Sequence, residues 1–242
     1  MVSCNASLRL CMVDTEVFFM TTKPDFSFKA YIPKMHPEGV KFVLIGAGLT
    51  VIFAMFSHLF GFLLAILTGC VYLFFRDPER VPPEKQGVIV SPADGIVCLI
   101  DKKAPPEELD MGNTPVNRVC VFMSVLNVHI NRTPTKGKII KTYYHPGKFL
   151  NASLDKASED NERYLYALET AKGNKMAFVQ IAGLVARRIV PLVKEGQNME
   201  TGERFGLIRF GSRVDVYLPQ GVEVKVSLGQ TMIAGETIIG EE

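Results

Sequence analysis

The sequence predicts an α+β protein that is mainly β, with an antiparallel sandwich or barrel-like domain preceded by an apolar helical hairpin. Two observations lead to this fold class. Residues 42–75 form a run of 34 positions without Lys, Arg, Asp or Glu, and 26 of them are apolar. Residues 76–242 instead carry short β-branched runs between Gly, Pro, Asn and Asp. The 242 residues therefore divide into a polar segment over 1–41, a hairpin over 42–75 and a domain over 76–242 long enough for its own core.

The apolar run is long enough to indicate contact with a membrane. It starts too late and is too long for the apolar region of a signal peptide. One continuous helix of this length would measure about 51 Å, whereas the hydrocarbon core of a bilayer is about 30 Å thick. A break at Ser57-His58 leaves halves of about 15 and 17 residues, and neither spans the bilayer comfortably. We therefore expect a shallow or re-entrant hairpin; one tilted span with an unused remainder is the alternative.

The charges that flank the run predict its orientation. Lys41 precedes the run and Arg76 follows it, whereas its middle has no charge. Positive flanks favour the cytoplasmic side, so both ends and the following domain are expected on the cytoplasmic face of the cell membrane.

The domain is predicted to consist mainly of strands. Asn151–Ala171 is the exception and is interpreted as one or two helices with a loop. Pro219-Gln220-Gly221 predicts a turn between the last two runs. The predicted strands are Val88–Val90, Ile96–Ile100, Arg118–Met123, Lys175–Val179, Val214–Leu218 and Val222–Val226.

Composition and missing motifs exclude several functions. A net charge of +2 gives no electrostatic reason to expect nucleic acid as a partner. The five cysteines form no CxxC pair and no Cys/His metal spacing, so no metal site is expected. The glycine and serine signatures of nucleotide-binding enzymes and α/β-hydrolases and the His-Glu-x-x-His motif of zinc proteases are absent, which disfavours all three classes.

Three short segments carry the groups that could do chemistry. They are Ser91–Gly95, Asn127–Arg132 and Phe210–Arg213. Together they offer the Asp94 carboxylate, the His129 imidazole and the Ser212 hydroxyl, which are the parts of an activated serine. Each has a structural alternative: a hairpin turn at Asp94-Gly95, a satisfied core or surface histidine at 129, and a bulge at Gly211-Ser212.

In their order along the chain, these segments resemble the short branch of the phosphatidylserine decarboxylase family, from about Phe74 to the C-terminus. The Gly-Ser pair alone is a weak signal, but five segments in the family's order are a strong one. Two positions depart from the long branch of the family: Arg213 stands where that branch has Thr, and Arg132 stands where it tends to have a second His. The matching segments are Phe74–Pro78, Ser91–Gly95, Asn127–Arg132, Asn161–Arg163 and Phe210–Asp215.

The resemblance implies an enzyme that makes its own cofactor. Ser212 would attack the Gly211 carbonyl with Asp94 as base, with or without His129. Cleavage would leave chains 1–211 and 212–242 as a heterodimer, with a pyruvoyl group derived from Ser212. That group would form a Schiff base with phosphatidylserine, and loss of CO₂ would give phosphatidylethanolamine. His129 would supply the acid/base step.

The lipid phosphodiester requires a cationic partner. Arg163, Arg187 and Arg188 are the candidates, because a guanidinium binds phosphate in a bidentate way; an ordinary solvated face is the alternative for each. Two other classes of function remain open. One is a membrane-anchored carrier of the biotinyl or lipoyl type, although its attachment hairpin is not found, and the other is a structural scaffold. Both require an intact chain.

Overall fold

The computed structural model describes residues 33–147, 161–183, 188–209 and 212–242. These residues contain two helices, α1 (Pro37–Phe56) and α2 (His58–Phe74). Their strands are β1 (Lys34–Met35), β2 (Arg76–Asp77), β3 (Val88–Val90), β4 (Gly95–Lys103), β5 (Val116–Met123), β6 (Ile130–Arg132), β7 (Gly137–His145), β8 (Arg163–Thr170), β9 (Lys175–Ala182), β10 (Ile189–Pro191), β11 (Asn198–Met199), β12 (Arg204–Ile208), β13 (Ser212–Tyr217), β14 (Thr231–Met232) and β15 (Ile238–Glu241).

The two helices form a tight antiparallel hairpin that breaks at Ser57, as the sequence predicts. Close packing depends on small residues. A Cβ atom on Gly46 would lie 2.6 Å from the hydroxyl of Thr68, and one on Gly61 would lie 2.5 Å from Cβ of Ala54. Small side chains at such positions let two apolar helices approach closely without a polar interface.

Helix α1 is longer than expected, because it begins before the apolar run. Pro37 takes the first helical position, and Nδ1 of His36 accepts a hydrogen bond from the backbone N–H of Glu38. The resulting 20 residues are long and apolar enough to cross a membrane, whereas α2 has 17. Large apolar side chains project from both helices, with Met55 82% and Phe56 85% exposed at the hairpin tip. A helix in water would place polar side chains on this surface.

An antiparallel sheet of eight strands forms most of the domain, in the order β11-β7-β8-β9-β13-β5-β4-β14. A three-stranded sheet, β10-β12-β6, packs on one face of it. Phe205 on β12 makes edge-on contacts with Tyr166 and Phe178, at ring-centroid distances of 5.0 and 4.6 Å. A mainly β, antiparallel domain after a helical hairpin is thereby confirmed.

Two predictions of secondary structure are wrong within the described residues. Residues 163–170 form strand β8 and not a helix, while residues 148–160 lie outside the described part. The strand is buried on both faces between β7 and β9, so it lacks the alternation that identifies a half-buried strand. Val222–Val226 is not a strand. Its apolar ends are buried, and the backbone N–H of Lys225 donates to the Ile239 carbonyl, but this single bond is not part of a strand ladder.

The base of the hairpin packs directly against the domain. Phe74 and Phe75 are buried in one cluster with Val128, Ile130 and Leu207. Strand β1, just before α1, pairs with β2, just after α2. Pro33–Glu242 thus forms one compact unit, and the helix ends reach the region around His129.

Candidate active site

Ser212 is the first residue of β13 and pairs with Met123 on β5 and Ala182 on β9. Its side chain is fully buried, and its hydroxyl has no hydrogen-bond partner within the part of the chain that the structure describes. An unpaired buried hydroxyl costs about 1–3 kcal/mol, so proteins seldom retain one without a functional reason. Gly211, the other half of the predicted cleavage site, lies outside the described residues.

Asp94 sits immediately before β4, with both carboxylate oxygens bound. Oδ2 accepts a hydrogen bond from Nη2 of Arg80, and Oδ1 accepts one from the backbone N–H of Ala234, each at 2.7 Å. These bonds fix the orientation of the carboxylate. Strand β3 pairs with β15, and β4 pairs with β5 and β14, so Asp94-Gly95 is not the turn of a hairpin.

Strand register brings Asp94 and Ser212 to the same end of the large sheet. Ile96 pairs with Phe122, and the next residue, Met123, pairs with Ser212. Gly95 is required here. Its φ is +156°, and a Cβ atom would lie 2.1 Å from the carbonyl oxygen of Phe122.

His129 is fully buried beneath the hairpin. Its ring packs against that of Phe74 with the centroids 4.2 Å apart, and Nδ1 lies 2.9 Å from the carbonyl oxygen of Asn127. Because a carbonyl only accepts, Nδ1 carries the proton and Nε2 carries the lone pair. The pKa of His129 is lowered to about 4, chiefly because the ring is buried; the bond to Asn127 opposes this shift, and the positive charge of Arg76 adds a smaller lowering contribution. The imidazole is therefore neutral near pH 7 and can act as a base.

A backbone bond ties His129 to the chain that leads into Ser212. The carbonyl of His129 accepts a hydrogen bond from the N–H of Ile208, the last residue of β12, at 3.3 Å. Four residue steps separate Ile208 from Ser212, which limits the Cα–Cα distance between them to about 14 Å. The buried imidazole, the oriented carboxylate and the unpaired hydroxyl therefore share one region at the base of the hairpin.

Comparison with known proteins agrees with this grouping. A family model described as phosphatidylserine decarboxylase matches residues 67–240, which include all three groups. The chain belongs to the phosphatidylserine decarboxylase family. It is 58% identical to a phosphatidylserine decarboxylase proenzyme of Ruegeria pomeroyi over 87% of this chain and 96% of that protein. It is 56% identical to one of Cereibacter sphaeroides over 87% and 91%, and 60% identical to one of Paramagnetospirillum magneticum over 73% and 74%. The resemblance noted from the motifs is confirmed.

Arg132 stands where the long branch of the family tends to have a second His. Its contacts stabilise the fold around the site. Its guanidinium donates to the carbonyls of Gly202 and Pro78 at 2.9 and 2.7 Å and forms an ion pair with Asp77 at 3.3 Å. Its backbone N–H donates to the carbonyl of Pro92 at 2.8 Å, which fixes the loop that carries Asp94.

The arginines predicted to bind phosphate are not all near Ser212. Arg163 pairs with Ile181, whereas Ser212 pairs with the adjacent Ala182, so Arg163 and Ser212 lie on opposite faces of the sheet. Arg163 forms an ion pair with Glu108 at 3.4 Å and lines a cavity of about 620 Å³ on that face. Arg188 is exposed beside β10, and Arg187 lies outside the described residues.

The structure adds site residues that the sequence did not indicate. Arg80 orients Asp94, and a buried chain of hydrogen bonds runs from the Tyr166 hydroxyl to Gln180 and on to Asn131, at 2.8 and 2.7 Å. Asn131 donates in turn to the sulfur of Met123, the residue paired with Ser212. Asn131 belongs to the segment that contains His129, so it could have been considered. Gln180 belongs to no motif that the sequence analysis identifies.

Proposed function

We propose that this chain decarboxylates phosphatidylserine to phosphatidylethanolamine and CO₂, using a pyruvoyl group that it makes by cutting itself between Gly211 and Ser212. The observation that carries the proposal is the buried Ser212 hydroxyl without a partner in the described structure, within the region that matches the family. The relatives are named proenzymes, which denotes precursors of the active form. No observation favours a carrier or scaffold function.

In the self-cleavage step, Ser212 is the nucleophile and Asp94 the base. The hydroxyl attacks the Gly211 carbonyl, and the peptide bond becomes an ester. Elimination and hydrolysis then release ammonia and leave chains 1–211 and 212–242 associated. A serine hydroxyl needs a base to become nucleophilic, and a carboxylate held by two donors at the same end of the sheet can supply one. Neutral His129 can assist, since its Nε2 accepts a proton.

In the decarboxylation step, the residues of the site orient the lipid and move a proton. The pyruvoyl group supplies a carbonyl that condenses with the substrate amine and accepts the electrons released as CO₂ leaves. Ser212, from which the group would form, is buried at the start of β13. The neutral His129 imidazole and the Asp94 carboxylate lie in the same region and fit such a group. His129 takes up a proton at Nε2 and returns it to the α-carbon of the product.

A lipid substrate requires the catalytic domain to lie at the membrane surface, and the hairpin can hold it there. Residues 42–75 hold the enzyme in the membrane as a re-entrant hairpin, with the catalytic domain over 76–242 on the cytoplasmic face. The exposed apolar surface of both helices supports their contact with the membrane, and the 17 residues of α2 favour a re-entrant hairpin over two full spans. Within the domain, the curled large sheet and the three-stranded sheet enclose the core as a sandwich.

The experiment uses vesicles containing phosphatidylserine labelled at the serine carboxyl carbon. The wild-type chain should release labelled CO₂, while Ser212→Ala should release none and should stay uncut. Ser227→Ala is the matched control, because Ser227 lies on an exposed loop of the same C-terminal segment and should behave as wild type. The proposal fails if the wild-type chain releases no more label than Ser212→Ala.

A further inference from the structure

Arg76 occupies a defined position at the base of the hairpin. It follows α2 directly, and its Nη1 donates to the carbonyl of Leu73 in the last turn of that helix, at 2.7 Å. Its Nη2 donates to the carbonyl of Leu126 at 2.8 Å. These bonds use two of the five N–H groups of a guanidinium, so three donors remain.

Arg76 also forms no ion pair with a carboxylate among the described residues, although the charge of Asp94 acts on it from beyond ion-pair distance. Nine arginines lie in the described ranges, and in seven of them the guanidinium forms an ion pair with a carboxylate. Arg76 is half-buried and Arg188 is exposed, and neither forms such a pair there. Burial lowers the pKa of Arg76 and the more distant charge of Asp94 offsets this only in part, so an anionic ligand would stabilise the charged guanidinium. The seven paired arginines are Arg80, Arg118, Arg132, Arg163, Arg204, Arg209 and Arg213.

The same short loop holds Arg76 and His129. Arg76 binds the carbonyl of Leu126, and His129 binds the carbonyl of the next residue, Asn127. Phe74, two residues before Arg76, packs against the imidazole. The positive charge of Arg76 contributes to the low pKa of His129, which indicates that the two groups are close in space. The guanidinium therefore lies between the apolar hairpin and the proposed catalytic imidazole.

We propose that Arg76 binds the phosphodiester of phosphatidylserine and thereby places the serine head group at the catalytic centre. The inference rests on the proposed function. A membrane-buried hairpin sets its base at the depth of the lipid phosphates, and guanidinium binds phosphate through two parallel hydrogen bonds. The substrate carboxylate is a poorer ligand for catalysis, because a cation that stabilises it in the ground state would oppose its loss as CO₂.

The test compares two substrates that differ only in the phosphate. One is a water-soluble short-chain phosphatidylserine, and the other is an O-alkyl serine with the same amine and carboxylate. Arg76→Gln should lower kcat/KM for the phospholipid about 10- to 100-fold, mainly through KM, and change it less than about twofold for the alkyl serine. Arg76→Lys should recover part of the loss, since it keeps the charge but not the bidentate geometry. Lys102→Gln, which removes an exposed charge on β4, is the matched control and should leave both values unchanged.

Chain cleavage in each variant shows whether the site still folds. Arg76→Gln should still cut itself, because Arg76 is neither the nucleophile nor the base of that step. An equal loss on both substrates would overturn the proposal in favour of a structural or carboxylate-binding role, and unchanged kinetics would overturn it outright. If the wild-type enzyme decarboxylates neither substrate, the proposed function fails instead.

A binding measurement without chemistry completes the test. Short-chain phosphatidylglycerol carries the phosphodiester without an amine, so it cannot react. Its affinity for the cleaved wild-type enzyme, measured by calorimetry, should fall about 10-fold or more in Arg76→Gln. Inorganic phosphate should bind far more weakly than the lipid. Equal affinity for inorganic phosphate would identify a site for free phosphate and contradict the assignment to the lipid head group.

Discussion

The burial of His129 makes stability depend on pH in a specific window. The pKa of His129 is lowered from 6.5 to about 4 in the folded chain, chiefly because burial disfavours the charged imidazole. Between these two values the unfolded chain binds more protons than the folded chain. Stability contributed by the neutral imidazole is therefore complete above pH 6.5 and is lost as the pH falls towards 4.

The size of the effect follows from the two pKa values. Lowering the pH from 7 to 5 should cost about 2 kcal/mol of folding free energy from His129 alone. At pH 6 about 99% of the imidazole should be neutral, whereas an ordinary histidine would be about one quarter neutral. The base should thus stay available throughout the physiological range.

Urea unfolding in detergent measures this contribution. The uncut Ser212→Ala chain provides a single polypeptide, and Ser212→Ala with His129→Gln provides the same chain without the titrating group. Between pH 7 and pH 5, the free energy of unfolding of Ser212→Ala should fall by about 2 kcal/mol more than that of the double variant. Equal losses, or an imidazole NMR titration of His129 with its midpoint between pH 6 and 7, would refute the reasoning.

Three further outcomes are expected. Asp94→Asn should slow chain cleavage at least about 10-fold on a denaturing gel, because the amide keeps the shape but is no base; cleavage at the normal rate would exclude Asp94 as the base. His129→Ala should cut at least partly yet fail to release CO₂, and a cut variant with near-normal activity would exclude its proton transfer. The double variant Met55→Glu with Phe56→Glu should reduce vesicle binding, and it should reduce activity on bilayer lipid more than activity on short-chain lipid. Leu228→Glu, at a 68% exposed site on the domain, is the control and should have neither effect. Equal loss on both lipids would mean that the hairpin tip supports the fold.

Local sequence signals are sufficient for the hairpin and for five of the six strands named from the sequence, whereas the described residues form fifteen strands. The break at Ser57 was predictable because Ser57-His58 is the most polar point of a run too long for one span. The early start of α1 was not, because Lys41 looked like a boundary, whereas it lies within the first turns and its ammonium sits 5.4 Å from the Phe42 ring centroid. Strand β8 is predicted as helix, because burial on both faces removes the period-two pattern of a half-buried strand.

The candidate site was predictable only as a set of residues. Motif order brought Asp94, His129 and Ser212 together, but their arrangement depends on strand register and long-range contacts. A single-residue step in that register puts Arg163 on the face opposite Ser212. The sequence identifies Arg76 only as a positive flank of the apolar run, whereas the fold shows that it forms no ion pair among the described residues and shares a loop with His129.

The most direct test of the account is the intact mass of the purified full-length chain under denaturing conditions. We expect two polypeptides, residues 1–211 and residues 212–242. The smaller should resist Edman degradation and be lighter by one ammonia than a peptide that starts with serine. An active preparation that contains only the uncut 242-residue chain would contradict the self-made cofactor and, with it, the mechanism proposed for this site.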